Sequence, residues 1–223
     1  PTGNNPATNS ADLVNPTHIS DRKRDKWRAM LDWSPTERLS FQFAVDQAQD
    51  KYGPGGRPYG LTDGTADIYT LDANYTLNDN WQVSGWYTRD DTKARHVGDL
   101  LPISGTTTRD AQLREVGDSF GFGLRGRPSA KLQVGANLEW FKSVSQYPQS
   151  LNGAYTPTTA QTTVGPPATF VGLVPLSDIA NKLTRLKLFG DYALDKNSSV
   201  RIEMIHERWK TDDWTWSFSD GSP

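Results

Sequence analysis

Apolar and polar residues alternate with a period of two through most of the chain. Trp27, Ala29, Leu31 and Trp33 fall on one side of the first such stretch, and charged or polar residues fill most positions between them. Residues 39–45 repeat the pattern. Successive side chains of a β-strand point to opposite sides, whereas a helix repeats about every 3.6 residues. The alternation therefore predicts β-strands that are apolar on one side only.

The alternating stretches are grouped in pairs. Residues 34–38 join the first pair and contain Pro35, which cannot donate a hydrogen bond to a neighbouring strand. Three further pairs follow, each joined by a short run rich in turn-forming residues. We expect a single unit over residues 1–223 with an all-β, antiparallel up-and-down fold of four hairpins. Its strands are predicted at approximately 23–33, 39–51, 66–77, 81–93, 115–126, 131–145, 181–194 and 199–210.

The connections between hairpins are long, polar and rich in Gly, Pro and Thr. They cover approximately residues 53–65, 96–113 and 148–178. Short turns at one edge and long loops at the other are typical of bacterial outer-membrane barrels, whose short turns are periplasmic and whose long loops are extracellular. Loops of this length are uncommon in compact soluble domains. The pattern predicts a transmembrane β-barrel in the bacterial outer membrane.

One side of the predicted strands carries no charge until the long-loop end is reached. About nine to eleven tilted strand residues cross an apolar zone of roughly 25 Å, and aromatic rings flank that zone at both interfaces. Rings near the tight turns and rings further up the strands fit two such girdles. The residues predicted to face lipid are Trp27, Trp33, Phe41, Leu71, Tyr75, Trp81, Val134, Trp140, Leu188 and Tyr192.

The opposite side carries charges of both signs together with a few apolar residues, which suits a lumen filled by water or by a partner protein. The apolar residues on this side either pack locally or mark the place where a partner rests. The candidates for lumen-facing contact with a partner are Lys26, Arg28, Met30, Asp32, Asp46, Asp72, Trp86, Arg125, Glu139, Phe141, Arg185, Lys187, Phe189, Asp191, Arg201, Glu203 and Ile205.

Composition narrows the possible functions. The 223 residues carry a net charge of -2, so no basic field attracts nucleic acid. With no cysteine, the chain has no thiolate metal site and no thioether attachment for haem. The three histidines, His18, His96 and His206, lie far apart, and no Gly-x-Ser-x-Gly motif is present. We expect no enzymatic activity, no metal site and no cofactor of the chain's own.

Several hairpin segments resemble the MtrB/PioB family of outer-membrane barrels. They are YTLDANYTL at 69–77, NDNWQVSGWY at 78–87, RAMLDWSP at 28–35 and LFGDYAL at 188–194. The resemblance implies a barrel that houses a periplasmic multihaem c-type cytochrome and supports electron transfer across the outer membrane, with a cell-surface multihaem cytochrome as a possible second partner. The haem would then belong to the partner.

Two further expectations concern the size of the barrel and the alternative functions. Eight strands close around an interior wide enough only for their own side chains, so a sheath for a cytochrome requires these strands to be part of a larger barrel. The sequence also lacks the Cys-x-x-C pair that family members often carry before the barrel. The alternatives left open by the alternation are a porin-type channel and a soluble β-sandwich binding protein, because a sandwich has the same period.

Overall fold

The computed structural model describes residues 14–15, 21–53, 59–99, 108–152 and 176–213. The described residues are almost entirely β-strand and contain no helix. The strands are β1 (Val14–Asn15), β2 (Arg22–Thr36), β3 (Leu39–Tyr52), β4 (Tyr59–Asn78), β5 (Trp81–Asp99), β6 (Thr108–Ser129), β7 (Leu132–Gln146), β8 (Gln149–Asn152), β9 (Ile179–Ala193) and β10 (Ser199–Asp212).

All the described strands belong to one sheet, in the spatial order β10-β9-β7-β6-β5-β4-β3-β2. Neighbours in this order are antiparallel. Short β8 continues the line of β7 along β6 after a break at Tyr147 and Pro148, and β1 runs parallel to the start of β4. The prediction of an all-β, antiparallel up-and-down fold is confirmed. Among the described residues the sheet is open, with β2 and β10 as its edges, and no second sheet covers it as a sandwich would require.

Side chains that bond to nearby backbone fix the tight turns. Thr36 Oγ1 accepts hydrogen bonds from the backbone N–H groups of Arg38 and Leu39, at 3.3 and 3.1 Å. Asn78 Oδ1 accepts one from the Asn80 N–H at 2.9 Å, and Asp195 Oδ1 accepts one from Asn197 at 2.7 Å. Such side-chain bonds replace the backbone bonds that a strand would make, and this is why the strands end at or shortly before these residues.

Two prolines lie inside the bounds of strands, at places where the pairing register shifts. The register between β2 and β3 shifts between Trp33 and Thr36, beside Pro35. The register between β6 and β7 shifts between Gly126 and Ser129, beside Pro128. A bulge tolerates a residue without an N–H donor, so the strands continue past both prolines into two-residue turns.

The strands continue into the predicted long connections. Residues 59–65 belong to β4, 96–99 to β5, 108–113 to β6 and 149–152 to β8. These segments hold only scattered apolar residues, such as Leu61, Val97 and Leu151, so the sequence pattern that marks a strand fades there although backbone pairing continues. The remaining parts of the predicted loops, residues 54–58, 100–107 and 153–175, lie outside the described residues.

The sheet is a single layer without a conventional core. Among the described residues, Ala48 and Phe189 are the buried apolar side chains. Ile202, in contrast, is 72% exposed, and every described residue of the edge strand β2 is exposed. A soluble domain buries its apolar side chains against a second layer, so this sheet requires an apolar environment that the described chain does not itself supply.

Candidate functional site

The pairing register separates the side chains into two faces, because directly opposite residues of an antiparallel pair lie on the same face. One continuous row runs Trp33, Phe41, Ala73, Gly85, Phe122, Leu138, Leu186 across seven strands. We call the face that carries this row the apolar face and the opposite one the charged face. All ten residues predicted to face lipid lie on the apolar face, and all seventeen predicted to face the lumen lie on the charged face.

Aromatic contacts cross the strands of the apolar face. The rings of Trp33 and Phe41 stack with centroids 5.5 Å apart, and those of Phe120 and Trp140 with centroids 5.2 Å apart. Stacking in this range adds to the stability of a strand pair. Trp33 nevertheless remains 54% exposed, so most of its apolar surface is available to an external medium.

A first group of ion pairs lies on the charged face between β2 and β3. Arg24 donates two hydrogen bonds to Asp50, at 2.7 and 2.6 Å. Lys26 and Arg28 both contact Asp46, at 2.9 and 2.7 Å. Asp46 is 7% exposed, and its two cationic partners reach it across the strand pair. The predicted candidates Lys26, Arg28 and Asp46 therefore form one contiguous cluster.

A second group lies on the same face over β7, β9 and β10. Arg185 joins Glu139 of β7, at 3.2 Å, to Glu207 of β10. Arg201 likewise contacts Asp191 at 3.2 Å and also contacts Glu203. Lys187 also contacts Glu203, at 3.2 Å. Each cation in this group has a carboxylate partner, so the charges neutralise one another within the sheet.

Two of the apolar candidates on the charged face pack locally. Phe189 is 8% exposed and lies where a Cβ on Gly135 would be. The guanidinium carbons of Arg201 and Arg125 lie 4.9 and 5.8 Å from the Phe189 ring centre. Trp86 covers Gly121 in the same way. Both rings therefore pack against glycines of the neighbouring strand.

The remaining candidates differ in accessibility. Met30 is 54% exposed and Ile205 is 53% exposed, so both can touch a partner. Phe141 is half-buried opposite Leu183. Asp32 accepts a hydrogen bond from Gln42 Nε2 at 2.7 Å. Asp72 is half-buried, between Gln42 and Trp86 in register.

Between the two ion-pair groups lies a strip of small side chains, which we call the central strip. It comprises the charged-face residues Thr70 of β4, Ser84 and Thr88 of β5, and Ser119 and Gly121 of β6. None of these five residues is among the contact candidates predicted from the sequence. The sequence feature that could have indicated the strip is glycine at alternate positions of one strand, at 121 and 123. A glycine within a strand often marks the close approach of another group.

A set of charged residues occupies the apolar face beyond the aromatic rings, toward the long connections. We call this set the rim. Arg89 contacts Asp118 at 3.0 Å, Arg114 contacts Asp91 at 2.6 Å and Arg95 contacts Asp110 at 2.5 Å. The hydrogen bond from Arg95 lowers the pKa of the Asp110 carboxyl below its usual range. The rim marks the upper limit of the uncharged band on this face.

The described part of the chain offers no metal-binding cluster of three or more His, Asp or Glu side chains. It also holds no helix long and apolar enough to span a membrane. The chain contains no cysteine, so it has no haem-attachment motif of its own. The distinctive features of the site are thus two chemically different faces of one sheet.

Comparison with known proteins places the sheet among outer-membrane barrels. The family model described as "Putative outer membrane beta-barrel porin, MtrB/PioB" matches residues 2–222. The ferric preacinetobactin receptor BauA of Acinetobacter baumannii aligns with a TM-score of 0.61 at 13% identity, over 86% of this chain and 34% of the receptor. The alcaligin outer-membrane receptor FauA of Bordetella pertussis aligns with a TM-score of 0.54 at 15% identity, over 85% of this chain and 28% of the receptor.

Because the sequence identities are this low, the likeness to the two receptors concerns the fold alone. The chain spans about a third of their length. No curated protein sequence matches the chain.

Proposed function

The chain belongs to the MtrB/PioB family of outer-membrane β-barrel porins, and from this premise we propose that it forms part of the wall of a barrel that houses a multihaem c-type cytochrome. The chain is an outer-membrane protein. In our proposal the apolar face contacts lipid and the charged face lines the bore. Electrons cross the membrane along the haems of the occupant, and the wall keeps lipid away from them.

The observation that carries this proposal is the internal balance of charge on the charged face. Ion-selective pores present rings of one sign to the permeating ion. Here Asp46 is shared by Lys26 and Arg28, and Arg185 bridges Glu139 and Glu207. A wall whose charges are already paired presents polar groups without a strong net field, and this suits contact with the polar surface of a protein.

The central strip supports the same proposal through its shape. Its side chains are small, and the Trp86 indole lies across Gly121. Small side chains between two ion-pair groups allow a large occupant of the bore to approach the backbone closely. The exposed side chains of Met30 and Ile205 would provide apolar contacts on either side of it.

The test is capture of haem by the complete barrel protein, purified in detergent from cells that also make periplasmic multihaem cytochromes. We expect haem absorbance to migrate with the wild-type protein. Ser119→Arg introduces a long charged side chain into the central strip and should lower the haem-to-protein ratio at least severalfold. Ser129→Arg makes the same change in the same strand beside a tight turn and serves as the control.

Heat-dependent electrophoretic mobility establishes whether each variant is folded. A folded wild-type protein that carries no haem contradicts the sheath proposal. The second candidate is an open porin, which is favoured by the family's description. Steady ion conductance of the haem-free protein in a planar bilayer would select that function.

A further inference from the structure

Three lysines lie side by side on the apolar face. The register pairs Lys142 of β7 with Lys182 of β9, and Lys182 with Lys210 of β10. Like charges directly opposite one another destabilise a sheet unless something neutralises them. We refer to Lys142, Lys182 and Lys210 as the lysine row.

The described residues neutralise this row only in part. Asp118 lies opposite Lys142 but already accepts hydrogen bonds from Arg89, at 3.0 Å, and from the Tyr87 hydroxyl, at 2.6 Å. Lys210 reaches Asp212 only at 3.7 Å, and both side chains are more than 60% exposed. Lys142 and Lys182 form no salt bridge with any residue that the structure describes.

The rest of the rim provides the contrast. On β5 and β6, Arg89, Arg95 and Arg114 each contact an aspartate within 3.0 Å. The same face and the same end of the sheet therefore hold closely paired arginines on one side. On the other side lies the lysine row, in which, among the described residues, only Lys210 forms a salt bridge, a long and exposed one to Asp212. A row of cations that the sheet neutralises only in part is suited to an external anion.

The position of the row along the strands places it at the membrane interface. Lys142 is ten residues beyond Leu132, the first residue of β7 after its tight turn. Ten residues span about 33 Å along a strand, or about 25 Å across the membrane at a tilt near 40°. This equals the thickness of the apolar zone, so the row reaches the interface on the long-loop side. The aromatic ring of Trp140 lies on the same face, two residues closer to the turn.

We propose that the lysine row binds the phosphate groups of the phosphorylated glycolipid in the outer leaflet. Clusters of lysine and arginine at a membrane interface bind anionic headgroups, and Arg208, two residues from Lys210 on the same face, adds a fourth cation. The inference rests on the proposed contact of the apolar face with lipid. It does not depend on what occupies the bore.

The test uses the complete barrel protein in phosphatidylcholine vesicles that contain diphosphorylated lipid A, with retained lipid A measured by native mass spectrometry. Each interfacial cation changes affinity for anionic headgroups about fivefold, so K142Q/K182Q/K210Q should weaken retention about 100-fold. The charge-matched control is R127Q/K131Q/K196Q, at the tight-turn edge, and should retain lipid A as the wild type does. K142R/K182R/K210R should restore retention and thereby exclude a folding defect.

Three outcomes would overturn the proposal. One is equal retention of lipid A by wild type and K142Q/K182Q/K210Q. Another is equal retention by the wild type of lipid A with and without its phosphates. The third is displacement of lipid A by millimolar inorganic phosphate, which would make the row a site for soluble anions. Haem capture is a separate measurement, so its failure leaves the lipid result unaffected.

Discussion

The two faces of this sheet use the same backbone and reverse the usual relation between polarity and burial. On the charged face Asp46 is 7% exposed, because Lys26 and Arg28 enclose it. On the apolar face Ile202 is 72% exposed. In soluble proteins aspartate is almost never buried unless paired, and isoleucine is among the most buried residues. The charged face is therefore satisfied by its own side chains, whereas the apolar face depends on the surrounding medium.

A charge in the middle of the apolar face should cause the largest loss of stability. Leu138 lies opposite Phe122 and Leu186 in the middle of β7. Leu138→Arg should lower the free energy of unfolding in lipid vesicles by about 2–4 kcal/mol, because the guanidinium would lie near the membrane midplane. Denaturant titration of the vesicle-inserted protein measures the change.

Two control variants in the same strand separate two factors. One is the depth of the introduced charge in the membrane, and the other is the face of the sheet on which it lies. Val134 lies on the apolar face near the tight turn, so Val134→Arg should cost only about 0–1 kcal/mol. Gln133 is its neighbour on the charged face, opposite Asp191, and Gln133→Arg should leave the unfolding free energy unchanged within error. Equal losses for all three variants would contradict the assignment of the apolar face to lipid.

Substitution of Gly121 tests whether the Trp86 side chain packs flat against the charged face. A Cβ at Gly121 would overlap the Trp86 indole, which lies across that position. Gly121→Val should therefore destabilise the sheet by about 1–3 kcal/mol, as overpacking does elsewhere. The double variant Trp86→Ala/Gly121→Val should recover part of the loss in the same titration.

Gly190 on the apolar face is the matched position, since a Cβ there would meet no atom within 4 Å. Gly190→Val should be neutral or stabilising. If Gly121→Val and Gly190→Val had the same effect, cross-strand packing of Trp86 on Gly121 would be refuted.

The sequence carries enough information for the fold and for the separation of the faces. A period of two assigns Arg28 and Trp33 to opposite sides without knowledge of any partner strand, and Pro35 and Asn78 mark turns by local chemistry. The packing of Phe189 on Gly135 and the alignment of Lys142 with Lys182 were not predictable in this way. Both depend on register between strands that are distant in sequence, and no local pattern encodes register.

The ion pairs of the charged face should contribute less than either kind of packing. Asp46→Asn removes the partner of Lys26 and Arg28, of which the Arg28 side chain is 57% exposed. Water screens an ion pair whose cations are this exposed, so the expected loss of unfolding free energy is smaller than the loss for Gly121→Val. A double-mutant cycle with Arg28→Gln isolates the pair. A loss as large as that of Gly121→Val would indicate a pair shielded from water.

The smallest effect is expected at the rim, from acid. Because Arg95 lowers the pKa of Asp110, the Asp110 carboxylate stabilises the folded rim above the usual aspartate pKa of about 4, and this contribution disappears as the pH falls through the lowered value. Hydrogen exchange should therefore quicken near Asp110 in acid while exchange near Leu138 is unchanged, by an amount that corresponds to less than about 1 kcal/mol. Asp110→Asn should remove the response. A response that persists in Asp110→Asn would assign the acid sensitivity to another carboxylate and leave the Arg95 pair without a measurable role.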